Sequence, residues 1–182
     1  MSNARNLARL LPDSSGKIQL PSQVAGVLPD SNAPSGSVIQ TVSSTLGGSF
    51  QTNATSLTAT GLLLSITPIS STSKILVTYS ISNTHKNGGS PVNMFQYFSL
   101  QRQINGGGYS ALRNGGYQGG MSNGSGGGDV FGGTIALSYL DSPATTSTVN
   151  YQLYTSGDNG SYTVYMGEGS STCTITAMEI SA

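Results

Sequence analysis

Charge is what this sequence has least of: seven basic and seven acidic side chains in 182 residues, one histidine, and no net charge. A soluble domain usually carries about 25% charged residues, and this one carries 8%. Long-range repulsion therefore does little to keep copies apart. Basic residues this few and this dispersed build no nucleic-acid face. Tryptophan is absent, and the single cysteine, Cys173, excludes an intrachain disulfide. Placed among Thr172, Thr174 and Ile175, its thiol reads as a small buried hydrophobe of a strand. No run approaches the roughly 18 consecutive apolar residues of a membrane span. The opening MSNARNLARLLPDSSG also lacks the apolar stretch of a secretion signal. The sequons at Asn53, Asn123 and Asn159 then read as accidents of an Asn/Ser/Thr/Gly-rich composition.

Chemistry-bearing clusters are missing as well. His85, the sole histidine, lies in Ser82-Asn83-Thr84-His85-Lys86-Asn87-Gly88, which reads as a strand exit leading into a solvated turn. One histidine with no cysteine cluster makes no metal site. No nucleophile elbow supports a triad with Asp129 or Asp141, and the carboxylates stand singly, so no glycosidase pair is visible. Asp158-Asn159-Gly160 offers too few oxygens for calcium and reads as a turn. The glycines lack the lysine of a phosphate-binding loop. Neither a catalytic residue nor a cofactor or metal site is expected.

What is present is a two-residue hydrophobic period from residue 37 onward. Lys74–Ile81 shows it most clearly, with Ile75, Val77, Tyr79 and Ile81 on one face and Leu76, Thr78 and Ser80 on the other. Asn93–Ile104 places Phe98, Leu100 and Ile104 together, opposite Tyr97, Ser99 and Gln101. Further strands are expected at 37–44, 49–55, 61–68, 109–113, 130–140, 148–154, 162–166 and 171–180. Turn sequences fall between them, among them Asn87-Gly88-Gly89 and Asn105-Gly106-Gly107-Gly108. Short, evenly spaced strands without a strong internal helix indicate an all-β fold, a jelly-roll-like antiparallel β-sandwich spanning 37–182.

Residues 1–36 differ. They hold four of the seven prolines and three of the seven basic residues. Ser2 is placed to cap a short helix carrying Leu7, Leu10 and Leu11, which Pro12 ends. Beyond it, Ile18, Leu20, Val24, Val27 and Leu28 are isolated apolar residues punctuated by prolines. A mere linker has no need of such anchors, so the segment reads as an extended arm that orders on a partner. Thirteen of the 25 glycines fall in a second special stretch, the insertion 106–133. The insertion reads either as one long flexible loop or as a binding surface, since glycine allows close backbone approach and Tyr117 and Met121 at the tip offer contact area; on a tail fibre that tip would face a host surface glycan.

Several stretches, in order, carry a resemblance: Gly36-Ser37-Val38-Ile39-Gln40-Thr41-Val42; Ser65-Ile66-Thr67-Pro68 through Ser73-Lys74-Ile75-Leu76-Val77; Tyr139-Leu140-Asp141-Ser142-Pro143-Ala144-Thr145-Thr146-Ser147 with Tyr151; and Thr174-Ile175-Thr176-Ala177-Met178-Glu179-Ile180. Together they resemble a β-sandwich module of virion structural proteins of tailed phages, marine and cyanobacterial ones included. The opening Asn3-Ala4-Arg5-Asn6-Leu7-Ala8 is similar to the start of phage proteins anchored to the virion by their N terminus. The resemblance implies a homotrimeric knob held on the particle by residues 1–36, without enzymatic residues. Asp141-Ser142-Pro143 is a turn initiator, with Asp141 or Ser142 accepting a local N–H. Glu179 is expected either to face solvent by alternation or to pair with Arg102 of a neighbouring subunit.

Two placements on the virion follow, a head decoration (cement) protein on the major capsid protein and a tail-fibre or baseplate appendage. A fibre needs a shaft of heptads, collagen-like triplets or β-helical repeats. None occurs, which favours decoration. A lectin or carbohydrate-active enzyme on the same fold is the third reading.

Overall fold

The computed structural model describes residues 33–87, 96–112, 133–157, 160–161, 163–169 and 171–182. The arm with its expected helix, its anchors Leu7 to Leu28, and Tyr117 and Met121 lie outside these residues.

All ten expected strands are present, and all pair antiparallel: β1 (Val38–Leu46), β2 (Phe50–Thr52), β3 (Thr58–Ile66), β4 (Lys74–Asn87), β5 (Gln96–Ile104), β6 (Ser110–Ala111), β7 (Gly133–Asp141), β8 (Val149–Gly157), β9 (Thr163–Met166) and β10 (Cys173–Ile180). In a first sheet β1, β10, β4 and β7 lie side by side. In a second the order is β3-β8-β5-β6. The chain passes back and forth between the two, giving a β-sandwich. β3, β10 and most of β8 alternate buried and open positions because only one face of each sheet meets the other. The shared interior holds Leu62, Leu64, Ile75, Val77, Ile81, Phe98, Leu100, Val149, Leu153 and Ile175.

The strand expected to stop at Ile81 continues to Asn87, so His85 belongs to β4, opposite Tyr165, rather than to a turn. The physical reason is an irregularity at Asn83. Its backbone is left-handed (φ 49°), a conformation asparagine tolerates better than most residues. Its Nδ2 donates to the Glu168 carbonyl at 3.0 Å. The ladder with β7 shifts register between Ile81 and Thr84, and the end of β4 then pairs with β9, which also carries β2.

Asn105-Gly106 forms a tight turn between β5 and β6. Both residues have positive φ (49° and 73°), and Gly107 N–H donates to the Ile104 carbonyl at 3.0 Å. That is the hairpin geometry Asn-Gly favours.

Candidate functional site

Four inward positions lie side by side across the first sheet: Gln40, Glu179, Ile75 and Asp141. Two of them are acids, and each is closed off from water. A buried carboxylate is tolerable only when charge or hydrogen bonds replace its hydration.

Asp141 is satisfied across the interior. Arg102 Nη1 reaches its Oδ1 at 2.8 Å and its Oδ2 at 3.0 Å. The Tyr151 hydroxyl donates to Oδ2 at 2.7 Å, and Ser142 N–H donates to Oδ1 at 2.9 Å. Arg102 and Tyr151 are register partners in the second sheet, so this cluster bridges the two layers. The Arg102 side chain is 23% exposed and that of Asp141 5%. Burial, then the bond to Asp141, pushes the Tyr151 phenol far above its ordinary range. It stays a neutral donor. β7 ends at Asp141, and its carboxylate accepts a local N–H as expected.

Glu179 is satisfied without any cation. Ile69 N–H donates to Oε1 and Oε2 at 2.8 and 3.0 Å, and Ser70 N–H donates to Oε1 at 3.2 Å. Gln40 Nε2 donates to Oε2 at 2.6 Å and also to the Thr67 carbonyl at 2.8 Å. Burial alone would raise the carboxyl. The donors from Gln40, Ile69 and Ser70 outweigh it and hold the group below its usual range. Glu179 therefore pins the turn between β3 and β4 to the last strand.

Glu179 does not face solvent; its exposure is 0%. Arg102 and Glu179 are not brought together within the chain, because each is engaged elsewhere. A pairing between subunits would first have to break those bonds. Sequence reasoning missed the Arg102–Asp141–Tyr151 cluster. The one signal for Glu179 was parity, since Cys173, Ile175 and Ala177 point inward and residue 179 continues that series. Cys173 is buried as expected, and burial pushes its thiol up.

Both acids are consumed by structure, and no group of metal-ligating side chains occurs among the described residues. The features open to a partner are the two outer faces. That of the first sheet presents Thr41, Ser43 and Thr45 of β1, Thr174 and Thr176 of β10, Thr78 and Ser80 of β4, and Ala136 and Ser138 of β7. Among the described residues of this face Lys74 alone is charged, at one end. Beside it runs an apolar row of Met178, Leu76 and Leu140 (50% exposed), and Val38 (54% exposed) stands opposite Ile180 in the row of Lys74 itself. A shallow hollow of about 370 Å³ opens between Thr78, Ser80, Ala136, Ser138 and Thr174.

Neither a known protein family nor a curated protein sequence matches the chain. Solved structures similar to it in part include two of one virus. One is the structure of infectious bursal disease virus, Gx strain, at 14% identity and a TM-score of 0.28, covering 86% of this chain and 42% of that one. The other is the VP2 subviral particle of the same virus, at 12% identity and a TM-score of 0.30, covering 80% and 39%. The chain thus spans about two fifths of the length of the chains it matches. Superpositions this loose carry no argument.

Proposed function

We propose that this chain is a non-enzymatic structural component of a phage virion, a head decoration protein whose sandwich assembles into a trimeric knob and whose residues 1–36 grip the capsid. We also infer that the sandwich is a jelly roll, since β1-β10-β4-β7 against β3-β8-β5-β6 is the interleaving of two Greek keys.

One observation carries the reading: the outer face of the first sheet, hydroxyl-rich and all but uncharged, with an apolar row along one end. A surface meant to stay in water normally mixes charges of both signs. This one can be buried against another copy without stranding ions, which keeps the desolvation cost of assembly low. Closed symmetry then limits growth. The ordered resemblance of the sequence segments to phage virion proteins supports the setting.

The test is direct. Full-length protein should sediment as a trimer and bind phage particles. Removal of residues 1–36 should leave the trimer and abolish particle binding. A stable monomer that ignores intact particles overturns the proposal. A second reading, a tail appendage touching the host, is favoured by the chemistry of the other outer face.

A further inference from the structure

On the second sheet, Ser99, Gln101 and Gln103 of β5 stand opposite Tyr154, Gln152 and Asn150 of β8. These positions alternate with Phe98, Leu100, Val149 and Leu153, which are buried in the core, so they face outward. The last pair is spoken for. Asn150 Nδ2 donates to Gln103 Oε1 at 2.7 Å, Ser65 Oγ donates to Asn150 Oδ1 at 2.5 Å, and Gln103 Nε2 donates to the Gly107 carbonyl at 2.7 Å.

The other two pairs differ. Among the described residues the amides of Gln101 and Gln152 make no side-chain hydrogen bond, although both are half-buried. Ser99 is fully buried, and its Oγ has no partner at all. The Tyr154 ring borders this group and leans on Tyr109, centroids 5.8 Å apart and tilted by 60°. Opposite Gln152 on the other side, Leu63 is 38% exposed. No described residue of this face is charged.

An idle hydroxyl costs free energy unless something uses it, and a buried one costs most. What is idle here is neutral and of both senses, since each amide and each hydroxyl both donates and accepts. An anionic partner would find no counter-charge, and a protein partner would want a larger apolar centre than Leu63 provides. A sugar matches. Its hydroxyls also donate and accept, and its C–H face stacks on an aromatic ring. Gln101 and Gln152 sit about 4.8 Å apart across the ladder, and Tyr154 lies about 6.8 Å from Gln152 along its strand. A short oligosaccharide spans both distances.

We propose that the outer face of the second sheet, centred on Gln101, Gln152 and Tyr154 above the covered Ser99, is a binding site for a neutral glycan. The site does not depend on the virion reading, and its test uses the isolated protein, so either idea can fail alone.

The full-length chain is titrated with short neutral gluco-, manno- and galacto-oligosaccharides, and separately with a heparin oligosaccharide. At least one neutral sugar should bind saturably. The double variant Gln101→Ala/Gln152→Ala should weaken it about tenfold, as expected for two lost hydrogen bonds, and Tyr154→Ala should remove it. Thr78→Ala on the opposite face should change nothing. Unchanged melting verifies folding, and if Tyr154→Ala unfolds, the glutamine pair decides alone. Binding of none of the neutral sugars at millimolar concentration, binding of heparin only, or affinity indifferent to the glutamine pair would each overturn the assignment.

Discussion

Asp141 and Glu179 flank the same residue, Ile75, one on each side, yet they solve burial in opposite ways. Asp141 reaches across the sandwich to a cation and a phenol in the other sheet. Glu179 stays within its own end of the fold and takes backbone and amide N–H groups from the neighbouring turn and strand. One acid ties two layers together; the other fastens a turn. The difference lies in what each leaves behind when it is removed. Without Asp141, a largely buried guanidinium loses its counter-ion. Without Glu179, only neutral donors are left unpaired.

That contrast orders the expected effects. Asp141→Ala should cost most, about 3–5 kcal/mol, the usual penalty for stranding a buried charge. Urea unfolding of the variant measures it. If Arg102→Met is combined with Asp141→Leu, much of the loss should return, because both charges leave together. A double variant no more stable than Asp141→Ala would show that the cluster is worth more than the packing that replaces it.

Glu179→Gln should cost less, about 2 kcal/mol, since an amide still offers one acceptor to the turn but points its NH₂ at other donors. A loss as large as that of Asp141→Ala would erase the distinction drawn here. Tyr151→Phe should cost about 1.5 kcal/mol, one hydrogen bond to a charged acceptor, read as a lowered melting temperature.

Acid sharpens the comparison further. The folded pKa of Glu179 lies below its unfolded value. Beneath roughly pH 4.3 the unfolded chain therefore binds the extra proton. The contribution of Glu179 is complete above that pH and fades as pH falls through the folded value. Stability measured from pH 5 downward should decline less steeply in Glu179→Gln than in the parent, at the order of about one proton of linkage. Equal slopes would mean that the turn does not hold the carboxylate charged.

The strands were readable because a sandwich exposes one face of each sheet, and burying the other imposes a period of two. Ile75-Val77-Tyr79-Ile81 and Phe98-Leu100-Arg102-Ile104 announce their inner faces in this way. The Asn105-Gly106 hairpin was readable because few residues accept its backbone. The continuation of β4 past Ile81 was not, since it depends on Asn83 turning left-handed and finding the Glu168 carbonyl 85 positions away. Glu179 was half legible. Parity placed it inside, but its charge argued for water, and the donors that resolve the conflict come from residues 69 and 70.

Alternation, glycine and near-neutrality thus belong to the chain itself: they set an all-β sandwich with all but uncharged outer faces wherever it folds, because local sterics and one-sided burial act on near neighbours. The tertiary structure alone decided which acid met the guanidinium and which met the turn. It likewise decided that Ser99, Gln101, Gln152 and Tyr154 share one patch. Those pairings join residues dozens of positions apart, and only strand order and register bring them within bonding distance.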